Sequence, residues 1–204
     1  MPSDCSDRPR RPRLRGRSIV IAATLGLSSQ ALPAEARSAS LWGRGAFPVA
    51  SFAGYTSGFG LRSHPLSGDV RPHYGIDIAA PLGSPIRSWW TGTVSEVIVD
   101  GGCGNGLVIR SGSYEHIYCH LSGQASNGLY RSGNVLLRVG QRVATGQVIA
   151  HVGLTGSTTG PHLHWGLRYR GAWMDPARVL RAMAQSRRQR NPIPLQRPNL
   201  GVFR

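Results

Sequence analysis

Two short stretches of this chain hold the residue types from which a metal centre is made. His73-Tyr-Gly-Ile-Asp77 places an imidazole and a carboxylate four apart, and Gly160-Pro-His-Leu-His164 places two imidazoles two apart. In an extended chain residues two apart point to the same face, so His162 and His164 look into one cavity while Leu163 turns into a core. Pro72 before the first stretch and Gly75 within it argue against a helix and for a tight loop entering a strand. Such a turn can aim both side chains at one ion. A catalytic zinc takes three nitrogen or oxygen ligands and leaves a fourth position for water. Four candidates exceed that need by one, which leaves a histidine for acid-base work. Either motif alone is weak, because single histidines usually sit on surfaces or in cores. The run Ser157-Thr-Thr-Gly-Pro-His-Leu-His-Trp165, a punctuated turn feeding directly into a strand, strengthens the reading.

The elements that must hold these side chains are almost all strand and turn. Val94-Ser-Glu-Val-Ile-Val99 and Gly106-Leu-Val-Ile-Arg110 are short β-branched runs, and Ser111-Gly112 is a hairpin signal before a strand over 114–121. In that strand Tyr114, His116, Tyr118 and His120 share one face, and Ile117, Cys119 and Leu121 share the other. Two tyrosines and two histidines on one face predict a cavity wall. His116 is expected as a partly exposed strand histidine, and His151, within a strand-turn-strand unit over 139–152, as a structural one. Residues 123–133 are polar and glycine-rich. They predict either a loop overhanging the cavity, where Tyr130 and Arg131 meet a substrate, or an exposed insertion without consequence. After a hairpin at Arg170-Gly171, Asp175-Pro176 starts a short helix with Val179, Leu180 and Met183 on its apolar face.

Four segments, in order, resemble the successive signatures of lysostaphin-type (LytM-like) zinc endopeptidases. They are Ser57-Gly-Phe-Gly-Leu-Arg-Ser-His-Pro65, His73-Tyr-Gly-Ile-Asp-Ile-Ala-Ala-Pro81, Tyr118-Cys-His-Leu121 and Gly153-Leu-Thr-Gly-Ser-Thr-Thr-Gly-Pro-His-Leu-His164. The resemblance covers roughly residues 52–176. It implies an all-β fold, compact and antiparallel, with two sheets packed around a core and a groove holding zinc, closed by the one C-terminal helix. It implies His73, Asp77 and His164 as zinc ligands, His162 and His120 as the catalytic pair, and hydrolysis of stem or cross-link peptides of bacterial peptidoglycan. On that mechanism His162 takes the proton of the attacking water and His120, with Tyr118, stabilises the tetrahedral oxyanion. Which histidine does which job is left open. Arg62 either grips a substrate carboxylate or makes a structural ion pair, and His64 beside it is a rim residue. Gly166 departs from the acidic residue common after the second histidine motif. A wall-binding relative without catalysis would be expected to lack a ligand, and here every ligand type is present.

All 24 basic residues are arginine, and the formal net charge is +15. Residues 1–17 carry six arginines, residues 18–32 are mostly apolar and small, and Ala34-Glu-Ala36 offers small residues at cleavage spacing, which predicts a signal peptide over 1–36. An apolar run of fifteen residues falls short of the roughly 20 that a spanning helix needs, so no stable membrane insertion is expected. Arg10-Arg11 leaves general and twin-arginine export both open. A linker over 37–50, the zinc endopeptidase domain over 51–185 and a disordered basic tail over 186–204 complete the plan. After cleavage, 18 arginines face six acidic residues. A helical arginine face and an aromatic-basic strand pattern are both missing, which excludes the usual nucleic-acid modules. An anionic wall or membrane surface in the periplasm or cell envelope is the expected partner of that charge.

Cleavage would remove Cys5 and leave Cys103 and Cys119, an even pair that predicts a disulfide in an oxidising compartment. Closing that loop would add about 3 kcal/mol by restricting the unfolded chain. Cys119 alternates with His120 and is therefore expected on the side away from the cavity. The pair departs from the resembled family, which more often has an aromatic near the first position and a small residue at the second.

Overall fold

The β-branched runs pair into antiparallel sheets in a computed structural model that describes residues 41–190. In chain order the strands are β1 (Gly54–Ser57), β2 (Gly60–Ser63), β3 (Val70–His73), β4 (Ile76–Ala79), β5 (Pro85–Arg87), β6 (Gly92–Asp100), β7 (Gly104–Ser111) and β8 (Tyr114–Cys119). There follow β9 (Gln124–Ser126), β10 (Leu129–Ser132), β11 (Val135–Arg138), β12 (Arg142–Val143), β13 (Val148–His151), β14 (His162–Tyr169) and β15 (Ala172–Met174), then the helix α1 (Pro176–Arg190). The main sheet runs β1-β4-β14-β8-β7-β6-β12, with β15 also paired to β14. Three small sheets, β9 to β11, β5 with β13, and β2 with β3, complete the fold. The antiparallel all-β class and the closing helix agree with the sequence reading, and the strands divide into one large sheet and three small ones.

The large sheet has two unlike faces, set by strand alternation. Leu163 of β14 lies opposite Ile78 of β4, and Trp165 lies opposite Tyr118 of β8. These four side chains are fully buried, and with Trp89, Ile86, Leu107 and Ile149 they make the core. Burying each large apolar side chain contributes about 1.5–3 kcal/mol. On the other face His164 lies opposite Asp77 on one side and Cys119 on the other. The register of β14 between its neighbours is thus what brings the two histidine motifs together. Asp175 caps α1 by accepting a hydrogen bond from Ala177 N at 2.9 Å, and Val179, Leu180 and Met183 bury its inner face as expected.

Four expectations are corrected. Residues 41–50 do not form a linker: Trp42 and Val49 are buried in the core, and Trp42 Nε1 donates to Tyr114 Oη. Residues 186–190 continue α1, with Arg190 Nη2 donating to Gly43 O, so a tail beginning at 186 starts too early. The signal peptide over 1–36 and residues 191–204 lie outside the described residues. Residues 123–133 are no free loop. Asn127 and Gly128, both at positive φ, turn β9 into β10, and Tyr130 is fully buried, its hydroxyl donating to Ser122 O. The Asn-Gly pair was a hairpin signal in plain view.

The last correction concerns β8. The face of Tyr114, His116 and Tyr118 is core, not cavity wall: Tyr118 Oη accepts from Trp89 N at 2.9 Å, and His116 is fully buried between Tyr118 Oη and Ser111 Oγ. Tyr118 therefore meets no substrate. Burial pushes the His116 ring down to about 3. Above its ordinary value near 6.5 the ring is neutral in the folded and unfolded chain alike. As pH falls from there toward 3, only the unfolded chain takes up the proton, and stability is lost across that window. By pH 4.5 His116 should cost about 2–3 kcal/mol, and His116→Gln should lose correspondingly less stability than wild type between pH 7 and 4.5 in urea unfolding. Parallel pH dependence in the two proteins would show that the ring is protonated inside the fold.

Candidate metal centre

His73 ends β3, Asp77 lies in β4 and His164 in β14, and their donor atoms converge. Asp77 Oδ1 is 3.1 Å from His73 Nε2 and 2.9 Å from His164 Nδ1, and the two ring nitrogens are 3.0 Å apart. The carbonyl of Gly58 can only accept, so His73 Nδ1, 2.7 Å away, is the protonated nitrogen and Nε2 keeps its lone pair. Two imidazole nitrogens and one carboxylate oxygen, all within 4.8 Å of one another, form a ligand set that fits zinc. Burial works to raise the pKa of Asp77, but the His164 and His73 rings that face it outweigh burial and hold the carboxyl well below the usual carboxylate range. Burial lowers the pKa of His164, against the opposing pull of Asp77. One carboxylate and two imidazoles suit a divalent cation.

Gly75 lets the centre close. A Cβ there would stand 2.6 Å from the His164 ring and 2.8 Å from the Trp165 carbonyl oxygen. Backbone cannot yield as a flexible side chain would. Gly75→Ala should therefore displace His164 and weaken zinc binding by about 10–100-fold in a chelator competition. An unchanged affinity would mean that the ring has room to spare.

Arg62 reaches Asp77 from the other side, its Nη2 3.5 Å from Oδ2. The ion pair steadies the carboxylate whose other oxygen faces the histidines, and Arg62 also lines the groove. His162 Nε2 stands 3.6 Å from Asp77 Oδ1, and its ring centroid lies 4.6 Å from that of His120. His162 Nδ1 donates to Gly160 O at 2.8 Å, and His120 Nδ1 donates to Thr155 O at 2.9 Å. Those bonds place the proton of the neutral tautomer on Nδ1 and leave Nε2 of each ring turned away from them. Burial, with His162 and His164 nearby, holds His120 down to about 4, so it is neutral at pH 7.

His120 reaches this side of the sheet by leaving the strand. β8 ends at Cys119, and His120 takes a left-handed backbone with φ of 63°, which turns its ring away from the core face that alternation assigns to it. Cys119, conversely, sits on the groove face beside His164, opposite to expectation. Arg62, His64, Asp77, His120 and His162 line a cavity of about 420 Å³, and a second of about 540 Å³ continues over Ile117, Val108 and the cysteines. Tyr118 and Tyr130 line neither. His64 is a rim residue as expected, and His151, bonded to Ser132 Oγ, is structural. The sequence reading gave no role to Thr155, whose carbonyl orients His120, although the residue lies within the quoted segment over 153–164. At Gly166 a Cβ would meet Trp173 at 3.1 Å and the Tyr74 carbonyl at 3.0 Å. Where an acidic residue was expected, the glycine leaves room for Trp173 to stack on Tyr74, ring centroids 5.0 Å apart.

Residues 71–176, which include all three metal-facing residues and both neighbouring histidines, match the model of Peptidase family M23. The chain belongs to that family. Among relatives of this M23 peptidase is the peptidoglycan DD-endopeptidase ShyB of Vibrio cholerae, 39% identical over 133 residues, which are 64% of this chain and 29% of that protein. The crystal structure of a zinc-containing peptidase from Vibrio cholerae shares 38% identity over 67% of this chain and 38% of the other, with a TM-score of 0.54. The catalytic domain of the antimicrobial peptidase lysostaphin from Staphylococcus simulans is 30% identical, covering 63% of this chain and 92% of that domain, with a TM-score of 0.50. The chain spans less than a third of the length of the curated relatives it matches.

Proposed function

We propose that this M23 peptidase is a zinc endopeptidase that hydrolyses peptide bonds of bacterial peptidoglycan, in stem or cross-link peptides. One observation carries the reading: a complete His73, Asp77 and His164 ligand set opens into the same groove as two further histidines whose Nε2 atoms are free to take a proton. The relatives named for peptidoglycan and zinc support it. When bound, zinc supplies Lewis-acid chemistry at neutral pH. His73, Asp77 and His164 would hold it, with Arg62 fixing the carboxylate and the Gly58 carbonyl fixing the His73 ring.

His162 is the nearer ring to the ligand set, and its Nε2 accepts the proton of the attacking water. His120, weakly basic because it is buried, is unprotonated at pH 7 and takes that proton over from the adjacent His162 ring, 4.6 Å away between centroids, before giving it as a strong acid to the leaving amine. A donor role toward the tetrahedral oxyanion requires the same protonated form, since the Nδ1 proton of His120 is already given to Thr155. Action in the cell envelope after export is part of this reading, supported by the arginine-rich apolar N-terminal sequence and the cysteine pair. No helix of the described residues is long and apolar enough to cross a membrane.

Digestion of purified sacculi followed by mass spectrometry tests the reading. Peptide fragments with new amino and carboxyl termini are expected, with the glycan chains uncut. Release of glycan fragments alone, or of nothing, would sink it.

A further inference from the structure

We infer that the Cys103–Cys119 disulfide is the positioning element for His120, so that the active site is assembled only in the cross-linked chain. The inference rests on the proposed catalytic role of His120. The cysteines are joined in the structure. Cys119 is the last residue of β8 and immediately precedes His120, which holds a left-handed backbone that side chains other than glycine rarely adopt. Such a conformation persists only where its surroundings impose it.

The surroundings converge on the turn that carries Cys103. His120 N donates to Cys103 O at 2.8 Å, and Leu121 N donates to Asn105 O at 3.0 Å. The imidazole is held by Thr155 O, and the Thr155 segment is itself tied to the same turn. Ser157 N donates to Gly102 O at 2.9 Å, and Asn105 N donates to Thr155 Oγ1 at 2.9 Å. Both the backbone and the ring of His120 are therefore anchored through residues 101–105.

Backbone bonds to His120, Leu121 and Ser157 and the pairing of Gly104 with Asp100 hold that turn, but its side chains add little. Gly101, Gly102 and Gly104 offer no side chain, which leaves Cys103 as the one side-chain tether within 101–104. Asp100 Oδ1 accepts from Gly102 N and Cys103 N, which shapes the turn but does not fasten it to β8. The disulfide does. Neither cysteine lies on β3, β4 or β14, which carry the metal-facing residues, and His164, the register partner of Cys119, is held by the pairing of β14 with both β4 and β8. Loss of the disulfide should release the second histidine while the metal set remains.

The test is a cycle of variants in the full-length chain, with zinc content, kcat and KM measured on a peptidoglycan peptide. The double variant Cys103→Ala with Cys119→Ala should keep zinc and KM but lose at least about ten-fold in kcat, since small displacements of a catalytic group are costly. In a His120→Ala background the same double change should have no further effect on kcat. Unchanged kcat in the double variant, or an equal loss in both backgrounds, would overturn the inference, because the disulfide would then act elsewhere than on His120. A normal rate for His120→Ala alone would instead remove the catalytic role on which the inference stands. Should the double variant fail to fold, reduction of the folded wild-type enzyme by a phosphine, followed by alkylation of the two thiols, supplies the same comparison. The expected outcome there is zinc retained and kcat reduced. Full kcat after alkylation would overturn the inference as well.

Discussion

Asp77→Ala and His164→Ala each lose bound zinc and hydrolytic activity together, while the far-ultraviolet circular dichroism stays that of the native β fold. Asp77 has the larger expected effect because four groups depend on it. Its Oδ1 faces His73, His164 and His162, and its Oδ2 faces Arg62. Without the carboxylate, the cation would face two neutral rings and the nearby Arg62 guanidinium, with no negative ligand to offset its charge. Asp77→Asn, which keeps the shape and one oxygen but not the charge, should fall between. The fold survives because neither side chain belongs to the apolar core, which lies on the opposite face of β4 and β14. Zinc content by mass spectrometry and digestion of sacculi check both halves. Either alanine variant digesting at the normal rate would remove that residue from the ligand set.

His162→Ala and His120→Ala should separate chemistry from metal binding. Neither ring belongs to the group of three donors within 4.8 Å, so zinc content should remain near that of wild type. The rate should fall by about 10²–10⁴-fold, the usual contribution of a positioned acid or base. The two losses should not add in a double variant, because the rings stand side by side and handle one proton in turn. Loss of zinc from either variant would move that histidine among the ligands, and full additivity would show two independent contributions.

The four candidate ligands were legible in the sequence because they depend on local rules that β14 obeys, and the family resemblance chose three among them. His162, Leu163 and His164 lie in a central strand paired on both sides, so alternation assigns their faces correctly. The same rule failed at His120. Alternation holds only while the strand continues, and β8 stops one residue earlier, at a left-handed histidine that no glycine or asparagine marks. The error carried Tyr118 and His116 into the groove and Cys119 out of it. Trp42 was missed for a different reason: a single aromatic ahead of the motif-bearing region has no periodicity, and its place in the core is decided by tertiary contact with Tyr114. Arg62 was legible as a functional residue but not in its role, since its partner Asp77 is brought to it only by the pairing of β2 with β3 and of β1 with β4. The start of the helix and the Arg170-Gly171 hairpin were read correctly because capping and turn chemistry are local.

Titration of metal-free enzyme with zinc, following peptide-bond cleavage in sacculi at each addition, bears most directly on a single hydrolytic zinc held by His73, Asp77 and His164. Activity should be absent without metal, rise in proportion to zinc and level off at one equivalent. Cleavage by the metal-free enzyme, or no cleavage at saturating zinc, would contradict that assignment.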